Sequence, residues 1–178
     1  MFLPELNPNE ERLGVVIAVP EPWASMIAEA RVKVGYRSAR KITPHITLLP
    51  PVAVTREWLE QVYAHLQAVA EKFSPFYVEL CGTGSFEPVS PVTFLSVKRG
   101  FEMCCKLAAA VNSGPLNFPP RFPYHPHVTL AQDLPDSKLQ QARELGRKCR
   151  TSWLVPGFRL DRVDDDGNYN SMALFNFI

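Results

Sequence analysis

Apolar and polar residues alternate in short blocks along this chain, and the blocks fall into two similar series. The β-rich run Gly14-Val15-Val16-Ile17-Ala18-Val19 is stopped by Pro20 and followed by a helical stretch from about Pro22 to Val32. An apolar strand with a polar face comes next, around Pro44–Leu48. Helical spacing then recurs at Trp58, Leu59, Val62, Leu66, Val69 and Phe73, with Thr55 as the predicted cap, and the strand Phe76 to Cys81 closes the series. The second series repeats this order. Val92–Val97 reads as a strand, Phe101 to Val111 as a helix stopped by Gly114-Pro115, and Pro126–Leu130 as a strand. A helix capped by Asp136 or Ser137 and carrying Leu139, Ala142 and Leu145 follows, and then a strand from Val155 to Val163. A final strand, Ser171 to Phe177, joins its predecessor through Asp164-Asp165-Asp166-Gly167-Asn168, residues that suit a hairpin turn better than a calcium loop.

Each series is strand, helix, strand, helix, strand, so the chain reads as a duplicated unit with pseudo-twofold symmetry. It is taken as a single domain over residues 1–178, with lobes of roughly 14–85 and 92–163 and a C-terminal strand at 171–177. The third element of each series is nearly the same string: Pro44-His45-Ile46-Thr47-Leu48 and Pro126-His127-Val128-Thr129-Leu130, 82 positions apart. In a strand, side chains alternate between faces. His45 and Thr47 therefore share one face, as do His127 and Thr129, while Ile46, Leu48, Val128 and Leu130 point into a core. Pseudo-symmetric packing of the lobes would set the two His-Thr pairs across a common groove.

The chemistry of two such pairs is specific. Imidazole titrates near pH ~6.5, so one histidine can take a proton from an attacking oxygen while the other protonates a leaving oxygen. Threonine hydroxyls can donate to the non-bridging oxygens of a phosphoryl group. A cyclic phosphodiester suits this layout because its leaving oxygen stays tethered. The same displacement run in reverse makes an ester, and no metal or cofactor is required.

The paired motifs resemble the two His-x-Thr/Ser motifs of the two-histidine (2H) phosphoesterase superfamily, and within it the bacterial 2′-5′ RNA ligase / cyclic phosphodiesterase-like branch. Cys81–Phe86 with the strand at Val92–Val97, and Phe122–Pro126 leading into the second motif, extend the likeness. The resemblance implies a bilobal α+β fold with antiparallel sheets lining a central cleft and helices outside. It implies hydrolysis of 2′,3′-cyclic or ADP-ribose 1″,2″-cyclic phosphates, or 2′-5′ ligation, on a nucleotide or RNA terminus. His45 and His127 match the catalytic histidines, and Thr47 and Thr129 the phosphate-binding hydroxyls; which histidine is acid and which base is left open. Many relatives carry basic residues directly after the second motif, where this chain has Ala131-Gln132-Asp133. The arginine that often precedes that motif corresponds here to Arg121.

Composition narrows the field further. The 178 residues are 46% hydrophobic and 21% charged with a net charge of +1, which fits a globular protein and excludes broad nucleic-acid coating. No run approaches membrane-spanning length, the start does not read as a secretory signal, and Cys81, Cys104, Cys105 and Cys149 form no Cys-x-x-Cys pair. A cytoplasmic protein without a membrane or stable protein partner is expected. Arg31 to Lys41 holds five basic residues and no acidic ones, either a phosphate-attracting rim that includes Arg40 or a solvated loop, with Tyr36 available to stack on a base. Tyr124 is a second stacking candidate or a rim aromatic. His125 is expected at the surface, His65 at a helix boundary, and Trp58, Trp153, Phe86 and Phe94 in the core. Two rival functions remain: a metal-dependent hydrolase using His45, His125 and His127, and a nucleotide- or RNA-binding module with little turnover.

Overall fold

A computed structural model describes residues 3–36 and 41–178. Among them are eight strands in two four-stranded antiparallel sheets, and four helices. The first sheet has the order β2-β1-β7-β8, built from β1 (Glu10–Ala18), β2 (His45–Thr55), β7 (Gly157–Val163) and β8 (Tyr169–Asn176). The second has the order β5-β4-β3-β6, built from β3 (Phe76–Ser85), β4 (Val92–Val97), β5 (His127–Gln132) and β6 (Arg150–Val155). The expected α+β class and duplicated unit are present: in both sheets the motif strand, β2 or β5, is an edge strand beside the strand that opens its series.

The contiguous lobes 14–85 and 92–163 do not coincide with the sheets. β3, from the first half, forms an antiparallel pair with β4 after a short connection, which is the favoured local pairing. The single strand expected at Val155–Val163 is two strands. Pro156, which lacks the N–H a ladder needs, separates them, and the chain crosses from the second sheet to the first at that point. The acidic turn after β7 is the expected hairpin. The Asp164 carboxylate accepts N–H bonds from Asp166 and Asn168, and Gly167 takes a left-handed φ of 80°.

The helices cross over between the halves. α1 (Trp23–Val34) packs on β5 and on α4 (Asp136–Gly146), while α3 (Phe101–Val111) packs on β2 and on α2 (Leu59–Ala70). Each helix buries one stripe at helical spacing, such as Ala24, Ile27, Arg31 and Val34 on α1. α4 approaches its sheet so closely at Gly146 that a Cβ there would lie 2.5 Å from Thr83 and 2.9 Å from Leu95. α1 ends in a Schellman turn: Gly35 at φ 81° donates to Val32 O, and Tyr36 N–H donates back to Arg31 O. That turn folds Tyr36 over Arg31.

Local expectations fared unevenly. Thr55 makes no side-chain cap; a 3₁₀ turn at Arg56–Trp58 precedes α2, and Trp58 is half exposed rather than in the core. Trp153 is buried, Phe94 is buried, and His65 sits at a boundary with its Nε2 against Val111 O. All four cysteines are free. No helix of the described residues is long and apolar enough to cross a membrane.

Candidate active site

β2 and β5 abut, and both motifs alternate as the pattern requires. Ile46, Leu48, Val128 and Leu130 are buried, while His45, Thr47, His127 and Thr129 keep part of their surface at the cleft between the sheets. Each imidazole is oriented by the backbone two residues earlier. His45 Nδ1 lies 2.7 Å from Thr43 O, and His127 Nδ1 lies 2.7 Å from His125 O. A carbonyl only accepts, so both rings carry their proton on Nδ1 and leave Nε2 for other partners. Two histidines thus present the same nitrogen from related positions.

The halves brace each other's motif. Tyr124, just before the second motif, donates its hydroxyl to Thr47 O of the first at 3.0 Å. Arg31, on α1 before the first motif, donates Nε and Nη2 to Thr129 O of the second at 3.0 and 2.7 Å, and Nη1 to Ile42 O at 2.7 Å. Arg31 is 2% exposed. Burial lowers its pKa from 12.5 to about 10, and no carboxylate of the described residues pairs with it. The first residue of the basic run is therefore a buried strut and no part of a rim.

The surroundings of the two histidines differ. On the first sheet, Val16 of β1 stands in register with both Thr47 and Arg159, placing all three on the cleft face. Arg159 forms a forked ion pair with the fully buried Asp161, at 2.6 and 2.7 Å. Tyr169 packs its ring 4.5 Å from that of His45 and reaches the Thr47 hydroxyl. It lies over Gly14, where a Cβ would come within 2.8 Å of the ring, so only glycine leaves that space. On the second sheet the cleft face is aromatic. Phe94, opposite Thr129, and Phe86 place their rings 5.1 and 4.9 Å from His127, and Gly84 makes room for Phe94. His125 is exposed and contacts Phe86, Phe94 and Phe101.

These settings disfavour the charged form of both imidazoles. Burial pushes the His45 pKa down to about 4, the Thr43 carbonyl opposes the shift, and the cations Arg31 and Arg159, with His127, add to it. Burial also lowers His127, assisted by His125 and opposed by the His125 carbonyl. The stability consequence has a definite sign. Between pH 6.5 and 4 the unfolded chain protonates His45 while the folded chain does not, so stability present above pH 6.5 is lost as pH falls to about 4. The loss is on the order of 3 kcal/mol at most. Thermal melts from pH 7 to 4 should fall less steeply for His45→Asn than for the wild type; parallel slopes would refute this.

Of the other sequence candidates, Tyr36 is half buried with the Arg31 guanidinium 5.8 Å from its ring, Arg121 is exposed in the segment before β5, and Arg40 lies outside the described residues. Three cleft residues escaped the sequence reading. Tyr169 opens β8 two positions before the expected strand. Arg159 and Asp161 left a signal in retrospect: opposite charges at i and i+2, on a strand face whose other members are Gly157 and Val163.

A family model for the 2′-5′ RNA ligase superfamily matches residues 18–164. The chain belongs to that superfamily. Its likeness to the two-histidine phosphoesterases is thereby established. Among curated proteins, provisionally named phosphoesterases from Bacillus cytotoxicus and Bacillus mycoides are 34% and 33% identical over 106 residues. In both cases the match covers 60% of this chain and about 60% of the relative's length. Among solved structures, Escherichia coli LigT complexed with NADP+ aligns with a TM-score of 0.70 at 21% identity, over 94% of this chain and 98% of LigT. TT0787 of Thermus thermophilus aligns with a TM-score of 0.65 at 26% identity, over 93% and 97%. The LigT likeness is one of fold.

Proposed function

We propose that the protein is a phosphodiesterase that opens a 2′,3′-cyclic or ADP-ribose 1″,2″-cyclic phosphate by two-histidine acid–base catalysis. The observation that carries the reading is the pair of His-Thr faces on abutting edge strands, with both imidazoles tied through Nδ1 and both Nε2 atoms left for proton transfer. Thr47 and Thr129 supply hydroxyls for the non-bridging phosphoryl oxygens. Arg31 and Arg159 oppose a charged His45, which favours it as the base. In that assignment His45 Nε2 takes a proton from the attacking water, the new P–O bond forms, and the bond to one ribose oxygen breaks. His127, which enters the step as the imidazolium with Nδ1–H on the His125 carbonyl, delivers its Nε2 proton to that oxygen, and a phosphomonoester results. A hydroxyl in place of water turns the same displacement into 2′-5′ ligation.

The test is an assay in excess chelator on 2′,3′-cyclic nucleotides, ADP-ribose 1″,2″-cyclic phosphate and 2′-5′-linked dinucleotides. Turnover of a cyclic phosphate at a chelator-independent rate is expected. Loss of turnover on chelation would transfer the chemistry to a metal ion, and tight nucleotide binding without product would make the protein a binding module.

A further inference from the structure

Arg159 neither gives nor takes a proton in the proposed displacement, yet its guanidinium is held in a forked ion pair at the cleft. Two of the five N–H donors of its guanidinium go to Asp161, which is wholly buried, while Arg159 itself is 20% exposed on the cleft face. No hydrogen bond to another described residue occupies the donors on Nη1. A buried ion pair contributes little to stability over apolar residues of similar volume, so the fold alone does not account for it. What the pair does achieve is to fix a guanidinium plane, the geometry that recognises phosphate in a bidentate way.

Its direction identifies what it addresses. Asp161 stands two residues along β7, so the guanidinium is drawn along its own strand. Thr47 lies two strands away, on the order of 9–10 Å across the sheet. The ring of Tyr169 lies over the intervening β1 at Gly14 and against His45. The scissile phosphorus must sit by the His-Thr pairs, and Arg159, level with Thr47 but two strands away across Val16, serves a group beyond it.

We propose that Arg159, aligned by Asp161, is a specificity-determining residue that binds a second phosphate of the substrate, so that the preferred substrate carries at least one phosphate besides the cyclic one. This rests on the phosphodiesterase reading above.

The experiment compares kcat/KM for a 2′,3′-cyclic mononucleotide with and without a 5′-phosphate. Arg159→Lys keeps the countercharge for Asp161 but loses the fork, and the double variant Arg159→Gln, Asp161→Asn removes both charges without stranding either. The wild type should prefer the doubly phosphorylated substrate, and both variants, shown folded by thermal melts, should lose about tenfold of that preference. An unchanged preference, its absence in the wild type, or an equal loss on both substrates would overturn the assignment. If the wild type turns over neither substrate, the phosphodiesterase reading fails by itself. Arg159 is then judged by calorimetry with inorganic pyrophosphate and inorganic phosphate: about tenfold weaker pyrophosphate binding in Arg159→Lys supports the second-phosphate role, and equal binding ends it.

Discussion

Alanine at either His45 or His127 is expected to lower turnover of a cyclic phosphate by at least 10²–10⁴-fold, the usual contribution of one general acid or base. That corresponds to about 3–5 kcal/mol of transition-state stabilisation. The fold should survive both changes, because each ring gives up one hydrogen bond to a carbonyl two residues away and lies at the cleft rather than in the core. The double variant is the more informative measurement. Two groups that act in one concerted displacement are far from additive: once one proton transfer is lost, removing the other costs little more. A double variant no slower than the slower single variant would place both histidines in the same step. Losses that multiply would assign them to separate steps, and an unchanged rate in either single variant would remove that residue from the chemistry.

Much of this site was written locally in the chain. His45 with Thr47, and His127 with Thr129, share a face because strand periodicity leaves no other choice. The duplication told how the two faces would meet. What the sequence concealed was long-range. Nothing near Pro156 announces that the strand on one side joins β3 while the strand on the other joins β1, since both flanks are apolar and β-rich. Arg31 was hidden by its company: beside Lys33, Arg37, Arg40 and Lys41 it reads as one more solvated cation. Its register with Ala24, Ile27 and Val34 on the buried stripe of α1 was the better guide, because a charge on an apolar stripe must find partners. Those partners lie as far as 98 residues away, at the second motif. Tyr124 follows the same rule in reverse. The sequence offers it as a stacking candidate or a rim aromatic, and its hydroxyl is engaged with the backbone of the first motif, 77 residues earlier.

Arg31 gives the second large effect expected. Arg31→Met approximates its volume while removing three charge-assisted donors and leaves Thr129 O and Ile42 O without them. Bonds to charged groups are worth about 1.5–3 kcal/mol each, and relief of the buried charge offsets part of the loss. A destabilisation of about 2–4 kcal/mol is expected, together with a fall in turnover of tenfold or more as β5 loses its anchor. A purely structural strut would do that much at every pH. Arg31 does more, because its charge opposes protonation of His45, whose other neighbours are Arg159, His127, the Tyr169 ring and the Thr43 carbonyl. With His45 as the base, the acid limb of kcat/KM in the wild type should lie near pH 4. Removing the Arg31 charge should move that acid limb upward, toward 6.5. Arg31→Lys separates the two roles. It keeps a cation on the stripe but loses the fork, so its limb should stay low while its stability falls. If the Arg31→Met limb stays with the wild type, Arg31 is a strut alone. If the limb moves in Arg31→Met and not in Arg31→Lys, one side chain both ties the second motif in place and sets the protonation state of the first.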